Sequence, residues 1–135
     1  MFTQGGGHAQ RLLPLVSGLV KRDLDVHVMT RPEVGHDVEA VGGIFRDLFA
    51  QYPLEAVDRE SIPLPSRLVT FAAAYAEQLI ADVARIRPVL LVYDSFAVVA
   101  PLIARRLDIP HVWMRAGHAQ VPARALAEIR TDPRV

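Results

Sequence analysis

The 135-residue chain contains no cysteine, and it carries no excess of either charge. The absence of cysteine excludes a disulfide scaffold and thiolate metal sites. Fifteen Lys and Arg residues balance fifteen Asp and Glu residues, so the formal net charge is zero. Because a nucleic-acid-binding surface needs surplus cations to neutralise phosphates, we do not expect a nucleic acid as partner.

Long apolar runs are also scarce. The longest, "LLPLVSGLV", is interrupted by Pro14 and Gly18, and it falls short of the roughly 20 apolar residues that a membrane span needs. The first residues lack the charged and apolar regions of a secretory signal peptide. Together with the lack of cysteine, these features favour a cytoplasmic protein with no membrane span.

The composition that is present, 51% apolar and 22% charged, is typical of a globular protein, and the length suits one domain over residues 1–135. Short β-branched runs alternate with helical stretches, which predicts an α/β fold: a doubly wound, Rossmann-like parallel sheet with helices on both faces. The predicted strands are a curtailed first one in "MFTQ", then Leu24–Thr30, Gly43–Leu48, Val89–Asp94 and Pro110–Arg115.

The predicted helices are Leu12–Arg22, Glu33–Val41, Ser66–Arg87, Phe96–Leu107 and Ala123–Arg130. Pro14 fits the first of them if it occupies the first turn, and Ser66 is a suitable N-cap for the third. Phe71, Tyr75 and Leu79 repeat at helical spacing and are expected in the core. The proline-containing segment 51–65 is expected to form a surface loop.

In such a sheet, ligands bind beyond the carboxyl ends of the strands, at the point where the strand order reverses. His8 follows the first strand, next to glycines that leave room for a ligand. With an unperturbed pKa of about 6.5, a histidine there suits a general base. A solvated or helix-capping histidine is the alternative.

Asp94 ends the strand "VLLVYD" at the same edge of the sheet. A carboxylate there could accept the ring N–H of His8, which would select one tautomer and stabilise the imidazolium. His8 and Asp94 are therefore candidates for a catalytic pair. The alternative is that Asp94 or Ser95 caps the following helix, and both roles are compatible because a carboxylate has two oxygens.

A dinucleotide-binding loop is a second interpretation of the glycines. Gly5 and Gly7 match part of the fingerprint, but Gln10 stands where it needs glycine or alanine. The second strand ends in Thr30 and Arg31 instead of an acid. Because Arg31 could accept a 2′-phosphate, NADP binding stays an alternative. A non-catalytic ligand-binding domain is a third interpretation.

The remaining candidates are weaker. His118 follows the last predicted strand at the same edge, where it is either a polar loop residue, the interpretation that its position favours, or part of the pocket lining; His36 is peripheral. His27 and His111 fall at the wrong end of their strands. The Asp-x-Asp at residues 23–25 also lies at that end, and no cluster with metal-ligand spacing occurs elsewhere, so we expect no metal.

The ordered set "GGGHAQRLLPLVSGLVKRDLDVHVMT", "VEAVGGIF" and "VLLVYDSFAVVAPLIARRLDIPHV" resembles the amino-terminal half of inverting, two-domain (GT-B type) glycosyltransferases that glycosylate small molecules such as antibiotics. The resemblance implies that His8 deprotonates an acceptor hydroxyl and that Asp94 orients His8. It places Gly7, Phe96 and His118 near the acceptor.

The same resemblance implies a nucleotide diphosphate sugar as co-substrate, such as a UDP-sugar, and no cofactor or metal. The family's carboxy-terminal nucleotide-binding motif has no counterpart here. The donor-binding domain is therefore expected as a partner outside this chain, in cis or in trans, and the chain alone is expected to be inactive. Its exposed cleft side would favour a homodimer.

Overall fold

The computed structural model of the chain describes residues 1–3, 6–53 and 63–115. The helices are Gly6–Val20 (α1), Gly35–Ala40 (α2), Leu48–Gln51 (α3), Leu64–Ile86 (α4) and Ala100–Arg106 (α5), with a 3-10 turn at Pro32–Val34. The strands are His27–Thr30 (β1), Ile44–Asp47 (β2), Leu91–Asp94 (β3) and His111–Met114 (β4).

All strand pairs are parallel. β1 pairs with β2 and β3 pairs with β4. Phe2 joins the two pairs, because it forms one bridge to Met29 of β1 and another to Tyr93 of β3. The sheet order is thus β2, β1, the segment Met1–Thr3, β3, β4. The first segment is central, and the direction of winding reverses there.

Two apolar clusters cover the two faces of the sheet, which confirms the predicted fold class. On one face, residues of α4 and α5 such as Phe71, Leu79 and Ile103 pack against Phe2 and Met29. The predicted stripe on the long helix is therefore core. On the other face, α1 and α2 pack against β1; this cluster consists of Ala9, Val16, Val26, Val28, Val34 and Val38.

Helix starts differ most from the sequence predictions. α1 begins at Gly6 instead of Leu12, because Ala9 is buried and draws the first turn into the helix. Pro14 consequently lies inside α1 and not in its first turn. The helix predicted from Phe96 begins at Ala100, after a turn. Pro63, not Ser66, is the N-cap of α4.

The predicted loop 51–65 also needs correction at its start. α3 forms directly after β2 because the Asp47 side chain accepts hydrogen bonds from the backbone N–H groups of Phe49 and Ala50. Residues 54–62 of that loop, the helix predicted at Ala123–Arg130 and the loop residue His118 lie outside the described residues. Within the described ranges, no helix is long and apolar enough to span a bilayer.

Candidate functional site at the switch point

Asp94 is the last residue of β3 and is 1% exposed. Its Oδ1 atom accepts hydrogen bonds from the backbone N–H groups of Phe96, at 2.9 Å, and Ala97, at 3.1 Å. Its Oδ2 atom accepts a hydrogen bond from the Thr3 hydroxyl and faces His8. One oxygen thus closes the turn after the strand, while the other is available to the imidazole. The capping role and the predicted pairing coexist.

His8 lies in the first turn of α1, and its Nδ1 atom is 3.1 Å from Asp94 Oδ2. The two residues are 86 positions apart in the sequence. An ionised carboxylate can only accept, so the partners assign the imidazole proton to Nδ1. The Nε2 lone pair is then available, and no group in the described part of the chain hydrogen-bonds to it.

The imidazole is also held by an aromatic ring. His8 stacks on Phe96 with 4.3 Å between ring centroids and 14° between ring planes. The backbone of Phe96 is held in place because its N–H donates a hydrogen bond to Asp94. The His8 side chain remains 25% exposed, so a ligand can reach it. The ring is therefore oriented from two sides and accessible at its edge.

The other predicted site residues are distributed unevenly. Gly7 lies beside His8 in α1, and a Cβ atom placed there would meet nothing within 4 Å, so the surrounding space is open. Phe96 contacts the imidazole, as described above. His118 lies outside the described residues. The structure thus brings together four of the five residues, Gly7, His8, Asp94 and Phe96, and the roles predicted for them stay predictions.

The residues set aside at the sequence level lie elsewhere. His27 and His111 begin β1 and β4, at the opposite edge of the sheet. Burial of His27 and the adjacent Arg46 lower its pKa below the usual 6.5. Among the described residues, no group of three acidic or histidine side chains could hold a metal ion.

The electrostatics at α1 disfavour the dinucleotide interpretation. A diphosphate would bind the N–H groups at the start of that helix, where the helix dipole is positive. The buried Asp94 carboxylate contacts His8 in that same first turn and would repel a diphosphate. Arg31, the residue that would select NADP, has its guanidinium over the Phe49 ring, 5.1 Å from the centroid.

Thr3 was not identified from the sequence. It is fully buried, ends the short first strand and donates its hydroxyl hydrogen bond to the Asp94 oxygen that faces His8. Its position in the sequence could have identified it. His8 and Asp94 were selected because they lie at the carboxyl ends of adjacent parallel strands, and the same rule selects the last residue of "MFT".

These observations define a class: a doubly wound α/β domain with a histidine–carboxylate pair at its switch point. No family model and no curated protein sequence matches the chain. Solved structures do match, and they are glycosyltransferases, which confirms the resemblance predicted from the sequence at the level of fold.

The calicheamicin glycosyltransferase CalG4 matches with a TM-score of 0.68 and 26% identity, over 96% of this chain and 34% of its own. The glycosyltransferase of kitacinnamycin matches with a TM-score of 0.69 and 20% identity, over 98% of this chain and 35% of its own. SnogD from Streptomyces nogalater matches with a TM-score of 0.62 and 18% identity, over 86% of this chain and 32% of its own. The chain thus spans about a third of the length of these structures.

Proposed function

We propose that this chain is the acceptor-binding part of a glycosyltransferase. The complete reaction would move a sugar from a nucleotide diphosphate sugar to a hydroxyl of a small lipophilic acceptor, with inversion at the anomeric carbon. The observation that carries the proposal is the pairing of an accessible imidazole with a buried carboxylate at the switch point. The glycosyltransferase structures that share the fold support it.

The mechanism follows from the tautomer. Nε2 of His8 takes the proton from the acceptor hydroxyl while that oxygen forms a bond to the anomeric carbon. The bond from this carbon to the diphosphate breaks, and the nucleotide diphosphate leaves with the electron pair. Attack opposite the leaving group inverts the carbon. General-base assistance of this kind typically contributes about 10²–10⁴-fold to the rate.

Asp94 is a positioning residue in this scheme. It holds the proton on Nδ1 of His8, and its negative charge stabilises the imidazolium that forms when Nε2 accepts a proton. The carboxylate is fixed before the reaction by the N–H groups of Phe96 and Ala97, so little reorganisation is needed.

The acceptor would lie against the edge of the His8–Phe96 stack, where Gly7 leaves open space. Gly7→Ala is expected to leave the fold intact, since a Cβ atom meets no neighbour, and alanine is the better helix former by about 1 kcal/mol. If the acceptor occupies that space, the substitution raises the KM for the acceptor. His118 is proposed to contribute from the segment after β4.

A donor-binding domain, in cis or in trans, is part of the proposal. It accords with the threefold greater length of the matching glycosyltransferases, of which this chain covers 34% and 35% in the first two cases. Sugar transfer therefore has to be measured with a complementing donor-binding domain. The predicted homodimer of the isolated chain is tested by sedimentation velocity.

The decisive experiment compares His8→Ala with His111→Ala in such a complemented assay. Loss of the base should reduce transfer by two or more orders of magnitude. His111 is an exposed histidine at the opposite sheet edge, so its removal should leave transfer at the parental rate. Equal rates for His8→Ala and the parent would refute the proposed base.

A separate titration distinguishes acceptor binding from dinucleotide binding. Trp113 is the single tryptophan, and its Nε1 donates to Ser95 Oγ at 3.3 Å, next to Asp94, so its fluorescence reports on this edge. A lipophilic acceptor should change the emission saturably, whereas NADPH should not. Saturable binding of NADPH would favour the rival function.

A further inference from the structure

Three buried polar side chains form a row across the sheet. Thr3 and Thr30 are 0% exposed and Asp94 is 1% exposed. Because Phe2 forms bridges to both neighbouring strands, the residues that follow each bridge stand at the same level. The three side chains thus end three adjacent strands, β1, the central segment and β3, with Thr3 in the middle.

The row faces α1. Phe2 and Met29 belong to the cluster on the α4 and α5 side, and side chains alternate between faces along a strand. Thr3 and Thr30 therefore project from the opposite face, where α1 lies. That is the face from which His8 approaches Asp94.

The two threonines differ in one respect. The Thr3 hydroxyl donates to Asp94 Oδ2, the same oxygen that faces His8 Nδ1. The Thr30 hydroxyl, although equally buried, has no hydrogen-bond partner among the described residues. Two side chains of one type, at one level of the sheet, therefore differ in whether they contact the carboxylate.

We propose that Thr3 is a positioning residue that acts on His8 through Asp94; this inference rests on the proposed function. Two backbone N–H groups fix Oδ1 of the carboxylate, and the Thr3 hydroxyl fixes Oδ2. Together they set the plane of the carboxylate, and hence the direction in which Nδ1–H of His8 must point. The hydroxyl also satisfies a buried charged oxygen that would otherwise have one partner.

The first test uses the chain by itself and needs no donor domain. Nitrogen-15 NMR of the His8 imidazole reports how the proton is shared between Nδ1 and Nε2. Thr3→Val keeps the volume but removes the hydroxyl, and should lower the Nδ1–H population. Thr3→Ser retains the hydroxyl and should restore it, whereas Thr30→Val, the matched control, should reproduce the parental spectrum.

Thr3→Ala provides a second hydroxyl-free variant in case valine disturbs the packing, and the melting transition of each variant checks that it is folded. The inference is overturned if folded Thr3→Val or Thr3→Ala shows the parental distribution of the proton. It is also overturned if Thr30→Val perturbs His8 as strongly as Thr3→Val does, since the effect would then come from packing.

The second test measures transfer in the complemented assay. Thr3→Val should lower kcat by roughly tenfold, the equivalent of one hydrogen bond to a charged group, with little change in the acceptor KM. Thr3→Ser should recover most of the rate. If His8→Ala abolishes transfer while Thr3→Val leaves it unchanged, only the role of Thr3 is wrong. If His8→Ala also transfers sugar normally, the proposed function itself fails.

Discussion

Asp94→Asn is the substitution that tests the site most directly, because it changes one atom type in a group with four hydrogen-bond partners. The amide oxygen can still accept from the N–H groups of Phe96 and Ala97. The amide nitrogen, however, would face the Thr3 hydroxyl and His8 Nδ1, where the carboxylate had an acceptor. A donor would then point at two donors.

Thr3 and His8 can both adapt to the amide, and this adaptation determines how much stability and activity the substitution removes. The Thr3 hydroxyl can rotate, and the imidazole can move its proton to Nε2 so that Nδ1 accepts from the amide. All four hydrogen bonds to the carboxylate become hydrogen bonds to a neutral amide, while the cost of burying a charge is removed, so the free energy of unfolding should fall by about 1–2 kcal/mol. Transfer should lose more, roughly 10²–10⁴-fold, because Nε2 now carries the proton and cannot act as a base.

Asp47 provides the matched control. It ends β2 and its Oδ1 accepts from two backbone N–H groups, at 2.9 and 3.0 Å, as Asp94 Oδ1 does, but no histidine of the described residues hydrogen-bonds to it. Asp47→Asn should leave the His8 imidazole spectrum as in the parent, whereas Asp94→Asn should move the proton to Nε2. If Asp94→Asn keeps the Nδ1–H form, the carboxylate does not determine the tautomer.

Three further predictions concern stability, each measured by urea denaturation. Burial and Arg46 lower the pKa of His27, so the unfolded chain binds more protons there and stability should fall as the pH drops below about 6.5. His27→Gln should flatten this dependence, and an unchanged profile of stability against pH would contradict the prediction. Tyr52→Phe should cost about 1 kcal/mol because the hydroxyl donates to Asp82, and a neutral effect would show that this bond is not formed in solution. Gly43→Ala should cost about 1–3 kcal/mol, since a Cβ atom there would lie 2.8 Å from a valine methyl group of the core, and a stabilised variant would contradict the packing.

The positions of the strands were predictable because short β-branched and aromatic runs alternate with helical stretches, although each predicted strand is one to three residues too long at one or both ends. Helix starts were not. Glycines disfavour helix, so the start of α1 at Gly6 depends on the burial of Ala9, which is a tertiary contact. α3 depends on the side chain of Asp47, whose capping role cannot be distinguished by sequence from that of any strand-end acid.

The pairing of His8 with Asp94 followed from topology, since carboxyl ends of adjacent parallel strands must share an edge. Thr3 was missed because a strand of so few residues shows no periodicity. The stacking of Phe96 on the imidazole was not predictable either, since it depends on the turn that replaces the expected start of a helix.

The central segment Met1–Thr3 has a mechanical consequence. Within the described ranges it is the only segment whose backbone pairs with both the β1–β2 and the β3–β4 halves of the sheet. His8 lies in α1, which packs on the β1–β2 half, whereas Asp94 ends β3, so the imidazole and the carboxylate meet where the two halves join. If the two halves of the sheet separate, the hydrogen bond between His8 and Asp94 is lost. The position of the ring proton of His8 should therefore report whether the two halves are joined.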